Sequence, residues 1–383
     1  MILSLNFFVL QIMGFWRPSE GSPLKIIFYK FYTCLMCLIL YSVTLTQLIE
    51  MIRSPGTVDD VINNSRVLLT MMNACAKSLS FVARRDDILK AIGIITSPPC
   101  CPRNSAEAVI QERYDRSIRM NSLIYGAFIQ TSVNTVILQT ALECIPIRIL
   151  PFKCWLPYDI NSETTFWLTY IQQSVATYVT SYVNICYDTI VPGCMVQTCA
   201  QLDIFKSRLK DLSGHNHRSH GKDVETHGDK NKILVSDCVE HHLNILKFAE
   251  LSNNIFAPTI FTQFAISSLV ICVSVYDLST AAPFSPDFVE VMLYLMSMML
   301  EIYLFCFYGN NVTVQSNHVG GNIYDLDWTS LDISVQKSLL IVMTRAMKPL
   351  TFTSGHVVVL SLASFTSLLK MSYSAYNVLQ QAS

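Results

Sequence analysis

Residues 355–380, GHVVVLSLASFTSLLKMSYSAYNVLQ, are the stretch on which the fold assignment depends. As one helix rising 1.5 Å per residue, this stretch would be about 39 Å long, which is enough to cross a bilayer. Hydroxyl and amide side chains interrupt it, and Lys370 lies near its middle. Because lipid penalises such groups, we expect these side chains to face protein or water.

One face of this stretch combines hydroxyl, amide and apolar groups. Residues at three- or four-residue spacing share a helix face, and here that face consists of Ser367, Met371, Ser374, Val378 and Gln381. Such a stripe suits a pore wall. It also suits a buried bundle helix whose hydroxyls bond to carbonyl groups one turn back. Taken alone, the residues favour the bundle helix.

The composition identifies the class of protein. Of the 383 residues, 51% are hydrophobic and only 14% are charged, whereas soluble domains have about 25% charged residues. The chain is therefore expected to form a single all-α membrane domain rather than two or three soluble domains. Its net charge of −1 gives no signal for binding nucleic acid.

Seven apolar segments are long enough to span a bilayer. In chain order they are residues 26–51, 61–83, 120–142, 165–200, 242–276, 288–307 and 355–380. The fourth and fifth segments exceed one crossing, so we expect them to project beyond the membrane. Residues 310–353 are more polar and should form helices outside the lipid. Residues 1–16 are apolar and uncharged, which favours an interfacial helix lying on the membrane.

Lysine and arginine residues predict the orientation. With a cytoplasmic N-terminus, 21 of them fall inside the cell and only Arg53, Arg148 and Lys153 fall outside. An odd number of spans then places the C-terminus outside. The glycosylation acceptor at Asn63 would lie near the outer surface. This orientation is opposite to that of G-protein-coupled receptors, and the sequence motifs of that class are missing from the third and seventh spans.

The chain has no sequence motif of an enzyme. A nucleophile elbow, a phosphate loop and an HExxH motif are all missing, so neither catalysis nor a cofactor is expected. The thirteen cysteines show no zinc-site spacing, and the histidine-rich residues 215–220 fit a solvated loop better than a metal site. Cys144 and Cys154 flank a short loop and are able to pair if that loop is extracellular.

Two lysines within the predicted spans are costly in lipid. Lys77 and Lys370 fit either a proton or substrate pathway or structural lysines that have partners. Glu301 is expected near a span end, where its carboxylate reaches interfacial water.

The outward halves of four predicted spans carry large, adaptable side chains, which suit a small, mostly apolar ligand. Ordinary core packing produces the same pattern, so periodicity does not separate the two interpretations. The candidate ligand-binding residues are Leu69, Met72, Asn73, Gln130, Asn134, Ile137, Trp167, Ile171, Val175, Tyr178, Tyr294, Leu295 and Met298.

Several stretches resemble the insect odorant receptor family. Residues 10–18, LQIMGFWRP, are similar to its Leu…Gly-Leu-Trp-Pro opening, and residues 322–328, NIYDLDW, to its tyrosine-to-tryptophan motif. Residues 336–349 resemble the cytoplasmic helix that follows. Residues 364–379 resemble the terminal signature, although Ala375-Tyr376 stands where Tyr-Phe is usual.

The resemblance implies a subunit of a ligand-gated, non-selective cation channel in the plasma membrane of olfactory sensory neurons. In that family four subunits, including a shared odorant co-receptor, surround a pore lined by the last helix. It implies a small hydrophobic odorant in the outward pocket, and residues 201–241 and 310–353 as cytoplasmic anchor regions between subunits. It also places Ser374, Val378 and Gln381 on the ion path, with Val378 as a hydrophobic gate. The resemblance therefore favours the pore wall over the bundle helix.

Two alternative classes fit less well. A gustatory receptor channel of the same superfamily usually ends in Thr-Tyr followed by Gln-Phe, and this chain does not. A transporter is expected to show an internal repeat and half-helices at the midplane, and neither is evident. The chain also lacks the large cytoplasmic insertion of the co-receptor, so we expect a ligand-tuning subunit.

Overall fold

A computed structural model describes residues 3–18, 22–53, 58–217, 224–280, 282 and 285–382. Within these residues the fold is almost entirely helical, as the composition predicts. A short 3-10 helix, Trp328–Ser330, precedes α9, and a two-stranded hairpin precedes α10. The elements are α1 Ser4–Ile12, α2 Pro23–Arg53, α3 Val58–Ala83, α4 Arg85–Thr96, α5 Ser105–Ile147, α6 Glu163–His217, α7 Val224–Thr280, α8 Pro286–Tyr324, α9 Ile333–Ala346, β1 Thr353–Ser354, β2 Val358–Val359 and α10 Leu362–Ala382.

Helix α6 is the centre of the bundle. It packs against α1, α2, α3, α5, α7 and α8. Residues 185–202 of α6 are buried on every side, which is the expected environment of a helix that is apolar around its whole circumference. The other long helices surround it, so the side chains that reach the interior of the bundle converge on the middle of α6.

The N-terminal helix packs into this bundle. Asn6 of α1 donates a hydrogen bond to the Thr189 hydroxyl of α6 at 2.6 Å, and Leu10 is fully buried. The Phe7 and Trp16 rings lie with their centroids 4.4 Å apart. The expectation that residues 1–16 lie on the membrane surface is therefore wrong. A polar Asn6 that has partners inside the bundle holds the helix against α6.

Within the described part of the chain, three helical stretches are long and apolar enough to cross a membrane by length and composition alone. They are Pro23–Arg53, Lys232–Ser279 and Phe288–Tyr324. The other predicted spans lie in α3, α5, α6 and α10, which carry more polar side chains. The limits of all seven spans remain predictions, but each falls on a separate long helix.

The last predicted span begins later than expected. Residues 355–361 are not helical, because β1 pairs antiparallel with β2, Thr353 lying opposite Val359. Gly355 has a φ of 59°, a conformation that favours glycine, and its N–H donates to the Ala257 carbonyl at 2.8 Å. Helix α10 therefore has 21 residues. At 1.5 Å per residue it measures about 31 Å, which still matches the hydrocarbon thickness.

The two stretches expected outside the lipid contribute to a second hydrophobic core. Its buried residues come from the C-terminal half of α6, the N-terminal half of α7, the end of α8, and α9. They are Leu202, Phe205, Leu209, Leu212, Val235, Cys238, Ile245, Val319, Ile323, Leu331, Val335, Leu339, Val342 and Ala346. The described residues of 201–241 thus pack together with residues 310–353 as one unit.

A buried ion pair joins this unit to the start of α5. Arg208 donates to Glu107 at 2.8 Å. Burial favours the neutral form of Glu107, but hydrogen bonds from Arg208 and from the Arg103 backbone outweigh it and lower the pKa of Glu107. Burial and the charge of Arg208 lower the pKa of His241 to about 3, so His241 is neutral and its Nδ1 accepts from Arg208 at 3.1 Å.

Several predictions concern side chains outside the described part of the chain. They are those of Asn63, Cys144 and residues 213–231, so glycosylation, the pairing of Cys144 with Cys154 and the histidine run remain predictions. The Cys154 thiol accepts a hydrogen bond from the Gln173 amide at 3.0 Å. Among the described residues, no cluster of three or more potential metal ligands occurs.

Replacing Gly309 by alanine should destabilise the protein. A Cβ at this position on α8 would lie 2.6 Å from the Leu360 Cβ and 2.7 Å from its carbonyl oxygen, so the hairpin before α10 must shift. We expect a loss of about 1–3 kcal/mol, seen as a lower midpoint in thermal unfolding of the detergent-solubilised chain.

Gly320→Ala on the same helix is the matched control. A Cβ there has nothing within 4 Å, and alanine gains about 0.5–1 kcal/mol of helix propensity over glycine. Equal midpoints for the two variants would show that the close approach at Gly309 contributes nothing to stability.

Candidate ligand-binding site

A cavity of about 150 Å³ lies between α3, α5, α6 and α8. Cavities of about this volume hold a molecule the size of benzene. Its lining residues are Arg66, Val67, Thr70, Met71, Tyr125, Ile129, Ser132, Val133, Val136, Phe152, Thr177, Thr180, Ser181, Asn184, Asp188, Glu290, Leu293, Tyr294, Ser297, Met298 and Glu301. Most of the wall surface is apolar, with hydroxyl groups interspersed, as in pockets for small organic ligands.

A buried ion-pair cluster borders one side of the cavity. We call this side of the cavity the floor. The Lys77 ammonium lies 2.7 Å from Asp188 Oδ1 and 2.6 Å from Glu301 Oε1. The three side chains are 0%, 1% and 2% exposed, respectively. Tyr125 adds a hydrogen bond from its hydroxyl to Asp188 Oδ2 at 3.1 Å. The cluster connects α3, α6 and α8, with α5 contributing the tyrosine.

The ion pairs at the floor decide between the two interpretations of Lys77 and correct the expected position of Glu301. Lys77 is a buried lysine with partners, as the structural alternative required. Glu301 does not reach interfacial water, because α8 continues to Tyr324 and places Glu301 near the middle of the helix. A carboxylate at that depth needs a buried cation, and Lys77 provides it.

A second set of charged side chains borders the opposite side of the cavity. We call this opposite side the rim. Arg66 lies 3.5 Å from both Asp277 Oδ2 and Glu290 Oε1. Its guanidinium carbon lies 5.3 Å from the centroid of the Tyr294 ring, within cation–π distance. The Tyr294 hydroxyl bonds to Thr70 and donates to the Arg66 carbonyl at 3.2 Å. The rim thus joins α3 to α7 and α8.

Of the predicted ligand-binding residues, Tyr294 and Met298 line the cavity. Met72, Trp167 and Ile171 instead face outward, with exposed fractions of 41%, 40% and 58%. Gln130 donates to Asn134 within α5 at 3.2 Å, and Tyr178 of α6 donates to the same Asn134 oxygen at 3.1 Å. Asn73 bonds to Gln263. Leu69, Ile137 and Val175 are half-buried, whereas Leu295 is buried in the core.

The predictions therefore identified the helices around the cavity but mostly chose other faces of those helices. Periodicity shows which residues share a face, but it does not show which face points inward when a helix is apolar all round. The missed residues are chiefly Arg66, Tyr125, Asp188 and Glu301. Asp188 had an available signal, because an ionisable residue in the middle of a predicted span indicates a functional or paired site.

The predicted pore helix exposes polar side chains together with the apolar Met371 and Tyr373. Thr366, Ser367, Lys370 and Ser374 of α10 are exposed, whereas Leu368 and Ser372 face the bundle. The Phe365 ring contacts the Tyr303 ring of α8, with 5.6 Å between their centroids. The side chains of Val378 and Gln381 lie outside the described part of the chain, so their placement on the ion path remains a prediction.

Together, these features define a helical membrane protein with a ligand-sized cavity enclosed between four helices. The model of the 7tm odorant receptor family matches residues 57–373. The chain therefore belongs to the 7tm odorant receptor family, a family of receptors rather than of enzymes.

Relatives of known name agree with this assignment. The chain is 28% identical over 228 residues to odorant receptor 67a of Drosophila melanogaster, a match covering 59% of this chain and 54% of that receptor. It is 22% identical over 342 residues to odorant receptor Or2 of Anopheles gambiae, covering 88% of each chain. It is 23% identical over 380 residues to odorant receptor 46a, isoform B, of Drosophila melanogaster, covering 97% of this chain and 96% of that receptor.

A solved structure has the same fold. The olfactory receptor OR5 from Machilis hrabei in complex with eugenol superimposes with a TM-score of 0.80 at 16% identity. The match covers 100% of this chain and 98% of that receptor. The expected insect odorant receptor fold is thereby confirmed.

Replacing Lys77 by methionine should prevent stable folding. The change leaves two buried carboxylates without their cation, which costs about 3–5 kcal/mol. We expect little folded receptor, measured by size-exclusion fluorescence of the tagged chain in detergent. The triple variant Lys77→Met, Asp188→Asn, Glu301→Gln should recover folded protein, because it removes all three charges together.

Lys90→Met is the matched control for the single change. The Lys90 side chain is 70% exposed and pairs only at the surface, so its loss should cost less than about 1 kcal/mol. A Lys77→Met chain that folds as well as this control would contradict the role assigned to the buried cluster.

Proposed function

We propose that this chain is the ligand-tuning subunit of an odorant-gated, non-selective cation channel. The observation that supports this most is the cavity between α3, α5, α6 and α8, whose size and apolar walls suit a small volatile molecule. Of the ligand contacts predicted from the sequence, we retain Tyr294 and Met298.

Ligand binding is linked to the pore through α8. This helix lines the cavity with Met298 and Glu301, and two residues beyond Glu301 it packs Tyr303 against Phe365 of α10. A ligand opens the channel only if it binds the open state better than the closed state. A tenfold bias toward opening requires about 1.4 kcal/mol of differential binding, which a few apolar contacts supply.

Helix α10 forms the pore wall in this proposal. Its exposed polar side chains, from Thr366 to Ser374, are unfavourable in lipid and favourable along an aqueous path. Val378 is the hydrophobic gate, which closes by excluding water, and Gln381 lies near the outer mouth. The N-terminus is cytoplasmic and the C-terminus extracellular.

The partner is an odorant co-receptor in a heterotetramer. Ile333 and Ile341 of helix α9 are 71% and 72% exposed, and Met347, directly after the helix, is 78% exposed. Apolar residues grouped on one exposed helix favour a contact with another subunit. They lie on the outer surface of the unit that contains the second core, and that unit serves as the cytoplasmic anchor. The assembled channel lies in the plasma membrane of olfactory sensory neurons.

Co-expression of this chain with a co-receptor should produce odorant-evoked cation current, and Val136→Phe should weaken it. Val136 lines the cavity, so the larger ring fills space that the ligand needs. We expect the half-maximal odorant concentration to rise by about tenfold or more, which corresponds to about 1.4 kcal/mol. Whole-cell recording against a chemically diverse volatile panel measures this.

Leu138→Phe on the same helix is the control, because Leu138 is 61% exposed and does not line the cavity. A tag at Ser383, detected on intact cells, checks surface expression and the outward C-terminus together. Absence of current for the whole panel in cells with surface receptor would count against the proposed function.

Lys370→Gln should increase single-channel conductance. If the exposed face of α10 lines the ion path, the ammonium of Lys370 repels entering cations. Removing it should raise unitary conductance roughly twofold, since one charge in water changes a nearby cation's energy by about 1 kcal/mol or less. Lys247→Gln, at an exposed site on α7, should leave conductance unchanged. Equal conductance in both variants would place Lys370 off the ion path.

A further inference from the structure

One face of α6 carries a row of polar side chains along the cavity. Thr177, Ser181, Asn184 and Asp188 follow one another at spacings of three or four residues, so they share a helix face. All four line the cavity. This row is therefore the polar surface that α6 offers to a ligand between largely apolar walls.

The neighbours of Asn184 in this row already have hydrogen-bond partners. Thr177 donates its hydroxyl proton to a carbonyl group one turn back in α6, at 2.9 Å. Ser181 donates to the side-chain oxygen of Gln130 in α5, at 3.3 Å. Asp188 is held in the buried ion-pair cluster at the floor.

Hydroxyl groups on the other walls are engaged in the same way. Ser132 of α5 and Ser297 of α8 donate to carbonyl groups one turn back, at 3.1 and 2.7 Å. Thr70 and Tyr294 bond to each other and to the Arg66 carbonyl. Each of these hydroxyl groups has an acceptor in the protein for its proton, so it is available to a ligand chiefly as an acceptor.

Asn184 differs from all of these side chains. Its carbonyl oxygen is buried and accepts no hydrogen bond within the described part of the chain. Of the polar side chains that line the cavity, Asn184 alone has no partner among the described residues. A buried acceptor without a donor is unfavourable, and a ligand that brings a donor removes that cost.

We propose that the cavity selects small alcohols, with the ligand hydroxyl donating to the Asn184 carbonyl and the hydrocarbon part packed against the apolar walls. A hydroxyl group suits an amide because both donate and accept. A ligand that fills the cavity excludes water from Asn184, so a ligand without a donor leaves the carbonyl unpaired. The volume limits the hydrocarbon part to about one aromatic ring. This inference rests on the proposed role of the cavity as the odorant site.

Benzyl alcohol and anisole are suitable probes, because they are isomers that differ in the polar group. The hydroxyl of the alcohol donates and accepts, whereas the ether oxygen of anisole only accepts. Binding to the detergent-purified full-length chain is measured by the shift of its thermal unfolding midpoint, and current is measured separately in cells that co-express a co-receptor. We expect benzyl alcohol to bind about tenfold more tightly than anisole, or better, which corresponds to about 1.4 kcal/mol.

Asn184→Leu tests the source of this preference. Leucine has nearly the same branched shape and offers no acceptor. We expect the preference for benzyl alcohol over anisole to fall by about tenfold or more, because binding of the alcohol weakens and binding of anisole does not. Asn184→Ala is the second variant, with the same expectation, and it serves if the first does not fold.

The unliganded variant separates a ligand contact from a structural role. Because Asn184 has no hydrogen bond to lose within the described part of the chain, its replacement by leucine should not lower the unfolding midpoint. A lower midpoint with an unchanged preference would show a structural residue and overturn the proposal.

Asn254→Leu is the matched control, because Asn254 is exposed on α7 and does not line the cavity. It should keep the full preference for benzyl alcohol.

The two measurements separate the possible failures. A preference for benzyl alcohol in the purified chain, without any current from the volatile panel, would support the alcohol site and contradict the gated channel. Current evoked by anisole as readily as by benzyl alcohol would overturn the alcohol site and leave the channel proposal standing. Binding of neither probe to the purified chain, or a preference that persists in Asn184→Leu, would also overturn the alcohol site.

Discussion

The fold depends on one buried cation. Lys77 cannot remain charged inside the bundle without partners, and its two partners come from different helices, α6 and α8. Hydrogen bonds to both carboxylates therefore determine how these helices are aligned along and around their axes relative to α3. The cavity lies immediately beside this cluster, so its shape depends on that alignment.

The same cluster explains which features were predictable from the sequence. Long apolar runs and the low content of charged residues were sufficient to predict an all-α membrane fold. Partners for Lys77 were not predictable, because Asp188 and Glu301 are 111 and 224 residues away in sequence. The helix faces that line the cavity were mispredicted for a related reason. Contacts between residues far apart in sequence determine which face of each helix points inward. Local signals failed once more at Gly355, where a positive φ replaces the expected helix.

Helix α8 both lines the cavity and packs against α10, and each of these contacts restricts the other. Its first half lines the cavity and holds Glu301 against Lys77, and its next turns pack against α10 and the hairpin before it. Because Glu301 is tethered, a ligand that displaces Tyr294 or Met298 is expected to rotate or bend α8 about the cluster rather than translate it. Gly309 lies beyond this point, where α8 approaches Leu360 closely and so contacts the segment just before α10.

Two surfaces of a single, unassembled chain would each face an unfavourable solvent. Helix α10 presents Thr366, Ser367 and Lys370 where lipid would otherwise lie, and α9 presents Ile333 and Ile341 in the region predicted to be cytoplasmic. A polar face in lipid and an apolar face in water both carry a free-energy cost. Assembly around a central axis removes both costs together, since it places the α10 face on water and buries the α9 face against a neighbour. The proposed ring would thus give both faces a favourable environment, and the cavity between α3, α5, α6 and α8 is formed by residues of one chain.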